Sequence, residues 1–386
     1  MSLPGVVAFG LGIPAPGRAA AAPVTTRRRL SVRGGSMGSP VPRAADTRPS
    51  SWPTVARTVV LLTAIVSVLL TTFAWPSVRS HAHDVPIAVA GPAAAVEQLS
   101  TALDRRLPDG FAIREVADTA AAERLIRDRE VYGAIDATSG TPHVITASAA
   151  STALAQTLQG VAAGLGQAQA QGAPKTPPVR DLVPMPSGDP RGAGLAAGAL
   201  PLVMGSLLAA LLLTRLVRGT ARQAVGAVSF AITGGLAVAA ILQFWLGSLG
   251  GSYAANTAAI ALTMAATSLS IIGLGALLGF AGFGLGAATM MLIGNPLSGT
   301  PTAPEMLPGR SGALGQLLPP GAGGQLLRST AFFDGRGSAH CVLVLTAWLG
   351  FGVALCLAGG LRTRRRRLAA GPDVPAENAV AQPGGR

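Results

Sequence analysis

From Gln223 to Pro304 the chain runs for 82 residues without a single Asp, Glu, Lys or Arg. A soluble domain carries about 25% charged residues spread along its length, and this whole chain carries 12% against 49% hydrophobic. One helical crossing of a hydrocarbon core about 30 Å thick takes about 20 apolar residues. The charge-free run is therefore too long for fewer than two crossings and accommodates three. Charge patterning of this kind belongs to a polytopic helical membrane protein.

Six blocks supply the crossings. The first, "TVVLLTAIVSVLLTTFAW" from Thr58 to Trp75, ends on an aromatic suited to the interface. It is too long and too far from Met1 for a secretory leader, whose apolar core is shorter and precedes a small-residue cleavage site. Further blocks lie at about Leu195–Thr214, Ala224–Leu246, Asn256–Leu278 and Cys341–Leu361. The short Gly-rich "GFGLGAATMMLIG" at Gly282–Gly294 is the fifth in order. Orientation follows from arginine, because cytoplasmic flanks carry the excess of Lys and Arg. Residues 1–57, the turn with Arg215, Arg218 and Arg222, and the tail from Arg362 together hold 17 basic residues and 3 acidic ones. Six crossings place those three segments on one side, so both termini are expected in the cytoplasm, in the plasma membrane. Read as nucleic-acid arms, "RRR" and "RTRRRR" would need a partner the crossings make unsuitable; attraction to anionic lipid suits them better.

The soluble unit lies between the first two crossings and is expected to face outward. "VPIAVAG" reads as a strand, and "AAAVEQLSTALDRRL" sets Val96, Leu99, Leu103 and Leu107 on one helical face. "FAIREV" is a second strand. Asp118 or Thr119 can cap "AAAERLIRDRE", whose Ala122, Leu125 and Ile126 face a core. "VYGAIDA" and "HVITASA" add two strands across "TSGTP". Alternation of strands and helices argues a small α/β domain, followed by an Ala/Gln/Gly-rich helix and the Pro-rich connector "GAPKTPPVRDLVPMPSGDPRG". The organisation is thus a basic arm over 1–56, expected to be disordered in its low-complexity part, with Met37 as an alternative start. A crossing at 57–76, the α/β domain at 77–150 and the connector at 151–193 follow. Crossings two to five occupy 194–295, an outward segment 296–339, the sixth crossing 340–361 and a basic tail 362–386.

This order resembles the permeases of type-2 ABC exporters and the related phage-infection-protein-like membrane proteins of actinobacteria. The motifs that carry the resemblance are "REVYGAI" at Arg129–Ile135 and "GNPLSG" followed by "LLPPGAGGQLLRSTAFFDG". The resemblance implies a permease subunit that moves a hydrophobic or amphiphilic solute or envelope component. It also implies a homodimer, or a heterodimer with a similar permease, and a separate nucleotide-binding ATPase. It further implies that the segment before the last crossing dips toward the membrane from outside. Non-helical backbone is tolerated at that depth only when enclosed by protein or lining a cavity. Pro296, Pro319 and Pro320 are then expected to break the helix where the dip turns, and Gly321, Gly323 and Gly324 to permit close approach. "ALGQLL" and "QLLRSTAFF" form short amphipathic pieces, with Arg328 and Asp334 near the water interface. The alternative is an ordinary loop lying over the outer surface.

Nothing in the sequence favours an enzyme. The sole lysine, Lys175, lies outside any GxxxxGK[ST] loop, so ATP hydrolysis is assigned to the separate subunit and no cofactor is expected. Gly282, Gly284 and Gly286 belong to an apolar helix, where small residues allow close packing; Gly275, Gly279, Gly282 and Gly286 form the expected dimer face. His81, His83 and Asp84 in "HAHD" fall short of the three or four ligands of a metal site, and no metal is expected. Cys341 and Cys356 are fifteen positions apart on one helix, too far for a bridge. Polar residues in crossings must face protein or a cavity. Gln243, Trp245, Asn256 and Thr257 are therefore the candidate pathway residues, with packing as the other role open to them. Arg215, Arg218 and Arg222 are the candidate turn for coupling to the ATPase. A non-transporting surface protein whose α/β domain binds a partner remains the second functional reading.

Overall fold

The computed structural model describes residues 51–139, 142–169 and 178–369. The expected disordered arm, the alternative start at Met37, Lys175 and most of the basic tail lie outside them. By contacts the chain divides between Ala56 and Arg57, and the description below concerns the unit from Arg57 onward.

Helix α1 (Trp52–Val78) leads into a five-stranded sheet domain. Its elements are β1 (Val85–Ala90), α2 (Ala93–Arg106), β2 (Phe111–Val116), α3 (Thr119–Arg127), β3 (Gly133–Asp136), β4 (His143–Thr146), α4 (Thr152–Gln169) and β5 (Val179–Asp181). The strand order is β2-β1-β3-β4-β5, parallel except for the antiparallel β3–β4 pair. Alternation decides the layers. Val85, Ile87 and Val89 of β1 meet Leu99 and Leu103 of α2 and Leu154 and Leu158 of α4. Ala88 on the opposite face meets Ala122 and Ile126 of α3. The β1–α2–β2 and β2–α3–β3 crossovers run in opposite directions across the sheet, so right-handedness puts α2 and α3 on opposite faces. Asp118 caps α3 by accepting from Ala121 N at 2.7 Å, as the sequence indicates. The connector, in contrast, is not simply a connector. Its Val179–Asp181 stretch adds β5 beside β4, a three-residue, fully exposed strand with no apolar alternation to betray it.

The helical part contains α5 (Ala193–Leu216), α6 (Thr220–Ala240), α7 (Tyr253–Leu278), α8 (Phe280–Ala288), α9 (Ser311–Gln316), α10 (Pro319–Phe332) and α11 (Ala339–Ala369). A wider π-type turn extends α6 through Trp245 and α8 through Gly294. Among the described residues five helices are long and apolar enough to cross a membrane: α1, α5, α6 with its π turn, α7 and α11. The fifth block differs. Phe280–Gly294 is a shorter apolar helix of 15 residues, roughly 22 Å at 1.5 Å per residue and short of the 30 Å core.

Helix α7 is the hub, with 67% of its apolar window buried. It packs against α5, α6, α8, α10 and α11. Its buried hydroxyls do not need partners on other helices. Thr263, Thr267, Ser268 and Ser270 donate to the carbonyls four residues back at 2.7–2.8 Å, which satisfies a polar group inside an apolar bundle. Helix α8 turns back along α7 through Gly279 at φ +69°. Here the expected dimer face is corrected. A Cβ at Gly282 would stand 2.1 Å from Leu274 O, and one at Gly286 would stand 3.2 Å from Ile271 Cγ1. Gly275 faces Phe283 across the same hairpin. Gly275, Gly282 and Gly286 are thus spent on the chain's own helix pair, while Gly279 has open space beside it.

Helix α11 runs parallel to α7: Gly352 lies against Leu269, Gly359 against Ala276, and Arg362 donates to Leu277 O at 2.8 Å. The bundle therefore has a sheet end, where α1 finishes and α7 and α11 begin. At its far end lie the α5–α6 turn, Gly279 and the last turns of α11.

Candidate functional site

Between α8 and α11 the chain passes from the bundle into the sheet domain, back into the bundle and out again. After Gly294 it rises through two 3-10 turns, Pro296–Ser298 and Pro304–Met306, and enters the sheet domain. There Ala303 is buried against the β1–α2 core and Met306 O accepts from His81 N at 3.0 Å. It then descends through α9 and returns to the sheet end as α10. Gly323 of α10 abuts Thr263, and Thr330 donates to Asn256 Oδ1 at 2.8 Å, so α10 is antiparallel to α7. Its N-terminal half reaches the level of Thr263, ten residues along α7, which is roughly 15 Å from the start of that helix.

The prolines stand where one helical piece ends and the next begins. Pro319 and Pro320 open α10, and Pro296 opens the first 3-10 turn, since proline lacks an N–H that the first helical turn leaves unbonded anyway. The glycines do permit close approach. A Cβ would come within 2.2 Å of Gly315 O at Gly321, 2.4 Å of the Thr263 side chain at Gly323 and 2.6 Å of Thr300 Oγ1 at Gly324. Arg328 is a correction. It is 4% exposed, lies under α10 rather than at a water boundary, and donates to Thr300 O at 2.9 Å. Asp334 is exposed at the turn that follows α10.

The sheet domain grips α10 through one residue. Arg129 follows the last turn of α3 at φ +61°, a left-handed slot usually given to glycine. That backbone sends its side chain away from the sheet. Nη1 donates to Gln325 O at 3.0 Å and to Ser329 Oγ, Nη2 donates to Gln325 Oε1 at 2.6 Å, and the guanidinium stands 5.3 Å from the Phe333 ring centre. Burial lowers the guanidinium pKa from its usual value, opposed by neighbouring Tyr132 and Glu305. Three residues on, the Tyr132 hydroxyl donates to Glu305 Oε2 at 2.7 Å. Burial first, and the Glu305 charge second, push the phenol pKa well above its usual value. Beside these pairs opens a cleft of ≈ 670 Å³ whose lining includes Arg129, Tyr132, Glu305, Arg310, Gln325 and His340.

The pathway candidates divide. Asn256 is fully buried; its Nδ2 donates to Gln243 Oε1 at 3.1 Å and to Gly250 O at 2.8 Å, while Gln243 Nε2 donates to Gly251 O at 3.1 Å. These two join the end of α6, the start of α7 and α10 in one network. Trp245 stands 80% exposed on the bundle surface, and Thr257 Oγ1 is buried without a hydrogen-bond partner. The structure thus brings Gln243 and Asn256 together and leaves Trp245 apart. Arg215, Arg218 and Arg222 are exposed around the α5–α6 turn. Among the described residues no three His, Cys, Asp or Glu side chains are grouped to hold a metal ion. Cys341 and Cys356 are buried and unbridged.

Sequence reasoning singled out the segments around Arg129 and around Gln325 but gave neither side chain a role. The available signal was an arginine where the helix-to-strand handover ordinarily uses glycine. These elements describe a helical membrane protein with a small α/β sheet domain at one end of its helices. No family model, curated protein or solved structure matches the chain.

Proposed function

We propose that the chain is the membrane-spanning permease subunit of an ABC-type exporter, moving a hydrophobic or amphiphilic solute with energy from a separate ATPase. The observation that carries this reading is the segment between α8 and α11, which enters the bundle to half the length of α7 and is held from the sheet domain by Arg129. Short helices and turns that enter a bundle without spanning it must be enclosed by protein or line a cavity, and discontinuous helices of this kind form the substrate sites of many transporters. In this reading α8 and the rising chain after it make one composite crossing, giving six with the five long helices. The sheet domain then faces outward, and the arginine-rich far end faces the cytoplasm of a plasma membrane. The functional unit is a dimer, or a pair with a similar permease, and neither subunit hydrolyses ATP itself.

Purification in mild detergent tests the reading directly. An ATPase should accompany the wild-type chain and be lost when Arg215, Arg218 and Arg222 are changed to Glu, with membrane insertion measured in parallel. A stable monomer that recruits no ATPase, from cells whose export is unaffected by deleting the gene, would refute it. One observation favours the second reading, a surface protein whose sheet domain binds a partner. Among the described residues the far-end turns are Val217–Gly219 and Gly279, a small platform for an ATPase.

A further inference from the structure

We infer that the cleft between the sheet domain and α10 is a binding site for a phosphate-bearing head group, with Arg310 and Arg129 supplying the positive charge. Transport is not required for this inference, which stands on the cleft's own chemistry. Its two acids are already engaged: Asp84 Oδ2 lies 3.3 Å from His83 Nε2, and Glu305 accepts from Tyr132 at 2.7 Å. Its arginines are not so matched. The acceptors of Arg129 are a carbonyl, an amide oxygen and a hydroxyl, and among the described residues no carboxylate pairs with Arg129, Arg310 or the buried Arg328 behind them. A buried guanidinium without a counter-ion, as at Arg129 and Arg328, is costly, and Arg is the side chain best shaped to hold phosphate oxygens in pairs.

A second observation points the same way. Gln325 lines the cleft and is 6% exposed, and its Nε2 donor has no partner; the Nε of neighbouring Arg328 has none either. An unpartnered amide donor in the wall, beside two arginines that no carboxylate pairs and two acids that already hold partners, favours an oxyanion over a cation or a neutral solute. His83 and His340 add donors at the rim. The volume of ≈ 670 Å³ falls in the range of organic-ligand sites, roughly 300–1,000 Å³. It is far larger than a bare phosphate needs, so an organic phosphate such as a lipid head group is the fitting occupant.

The test uses the full chain purified in an uncharged maltoside detergent, with binding followed by native mass spectrometry and by thermal shift. Four probes are compared: dihexanoyl phosphatidic acid, dihexanoyl phosphatidylcholine, glycerol 3-phosphate and inorganic phosphate. Phosphatidic acid should bind saturably and more tightly than phosphatidylcholine. Arg310→Gln, at an exposed position that folding does not require, should weaken it about tenfold or more, the loss of one charge-assisted contact, and Arg310→Lys should recover part of the loss. Equal affinity for inorganic phosphate would keep the anion chemistry and make free phosphate its source. Equal binding of phosphatidylcholine and phosphatidic acid, or binding of phosphatidic acid unaffected by Arg310→Gln, would overturn the proposal. So would the failure of all four probes to bind.

Discussion

Replacing Arg129 by Ala should release α10 from the sheet domain while leaving both parts folded. The side chain makes three hydrogen bonds, two to Gln325 and one to Ser329, and covers Phe333. A hydrogen bond involving a charged group contributes about 1.5–3 kcal/mol. Their sum is not the cost, because the guanidinium recovers hydration that burial had removed and the Gln325 side chain can turn to other partners. A net loss of about 2–4 kcal/mol is expected, equivalent to a roughly 30- to 700-fold rise in the local opening equilibrium of α10. Arg129→Gly separates the side chain from the backbone. Ala must still hold φ +61°, whereas Gly adopts it freely and should recover about 1 kcal/mol.

Hydrogen exchange on the detergent-purified chain reads this directly. Amides of Leu326–Thr330 should exchange faster in Arg129→Ala, those of α7 should stay protected, and Arg129→Gly should lie between the wild type and Ala. Arg129→Ala combined with Ser329→Ala should be less damaging than the two single losses added, with a coupling of about 0.5–3 kcal/mol. Unchanged α10 exchange in Arg129→Ala, or a Gly variant worse than Ala, would refute the reasoning.

Other outcomes follow from the same structure. Because the folded Tyr132 phenol has a raised pKa, its protonated form contributes stability that is intact below the unfolded value of about 10 and fades as pH rises above it. The thermal midpoint of the wild type should therefore fall more steeply above pH 10 than that of Tyr132→Phe. Gly282→Ala should lower thermal stability by about 1–3 kcal/mol through the clash with Leu274 without altering the oligomeric state seen in light scattering; a change confined to oligomeric state would return these glycines to an intersubunit face. Asn256→Ala removes the link among Gln243, Gly250 and Thr330 and should destabilise the chain by about 2 kcal/mol in thermal or chemical unfolding. For orientation, a cysteine at Ser139 should react with an impermeant maleimide in intact cells and one at Ala369 should not.

The sheet domain was legible because its strands are short apolar runs with clear stops and its helices each bury one face. β1 shows Val85, Ile87 and Val89 before Gly91, α2 repeats apolar residues every three to four positions, and Asp118 announces α3. The three-residue β5 carries no such pattern. The long crossings were equally legible from apolarity, but apolarity does not measure length or partner, and there the reading failed twice. Phe280–Gly294 looked like a crossing and is a shorter helix that needs the chain after it to continue. Its glycines looked like a dimer face and are consumed by the hairpin with α7. Proline was more informative, since the chain turns between α9 and α10 just before Pro319 and Pro320, although the sequence did not show that these two open the following helix. The junction was hidden for a simpler reason: Arg129 and Gln325 are separated by 196 positions, and no local period connects them.

The polar residues of α10 explain why it lies where it does. Its first turn, Pro319–Gly323, is entirely buried and offers only backbone and small side chains, so it can sit against α7 without polar partners. Its second half carries Gln325, Arg328, Ser329 and Thr330, all with polar groups that an apolar bundle cannot satisfy. Three of them find bonds outside the helix: Gln325 and Ser329 with Arg129, Thr330 with Asn256, and Arg328 with Thr300 completes the set from the rising chain. Each partner belongs to a different element, so α10 is seated only when the sheet domain, the start of α7 and the segment after α8 are all in place. A displacement of the sheet domain would first unpair Gln325 and Ser329, and these are the groups nearest the cleft. Occupancy of that cleft and the position of α10 are therefore linked through Arg129, and the exchange of α10 amides should slow in the wild type, but not in Arg129→Ala, when phosphatidic acid is bound.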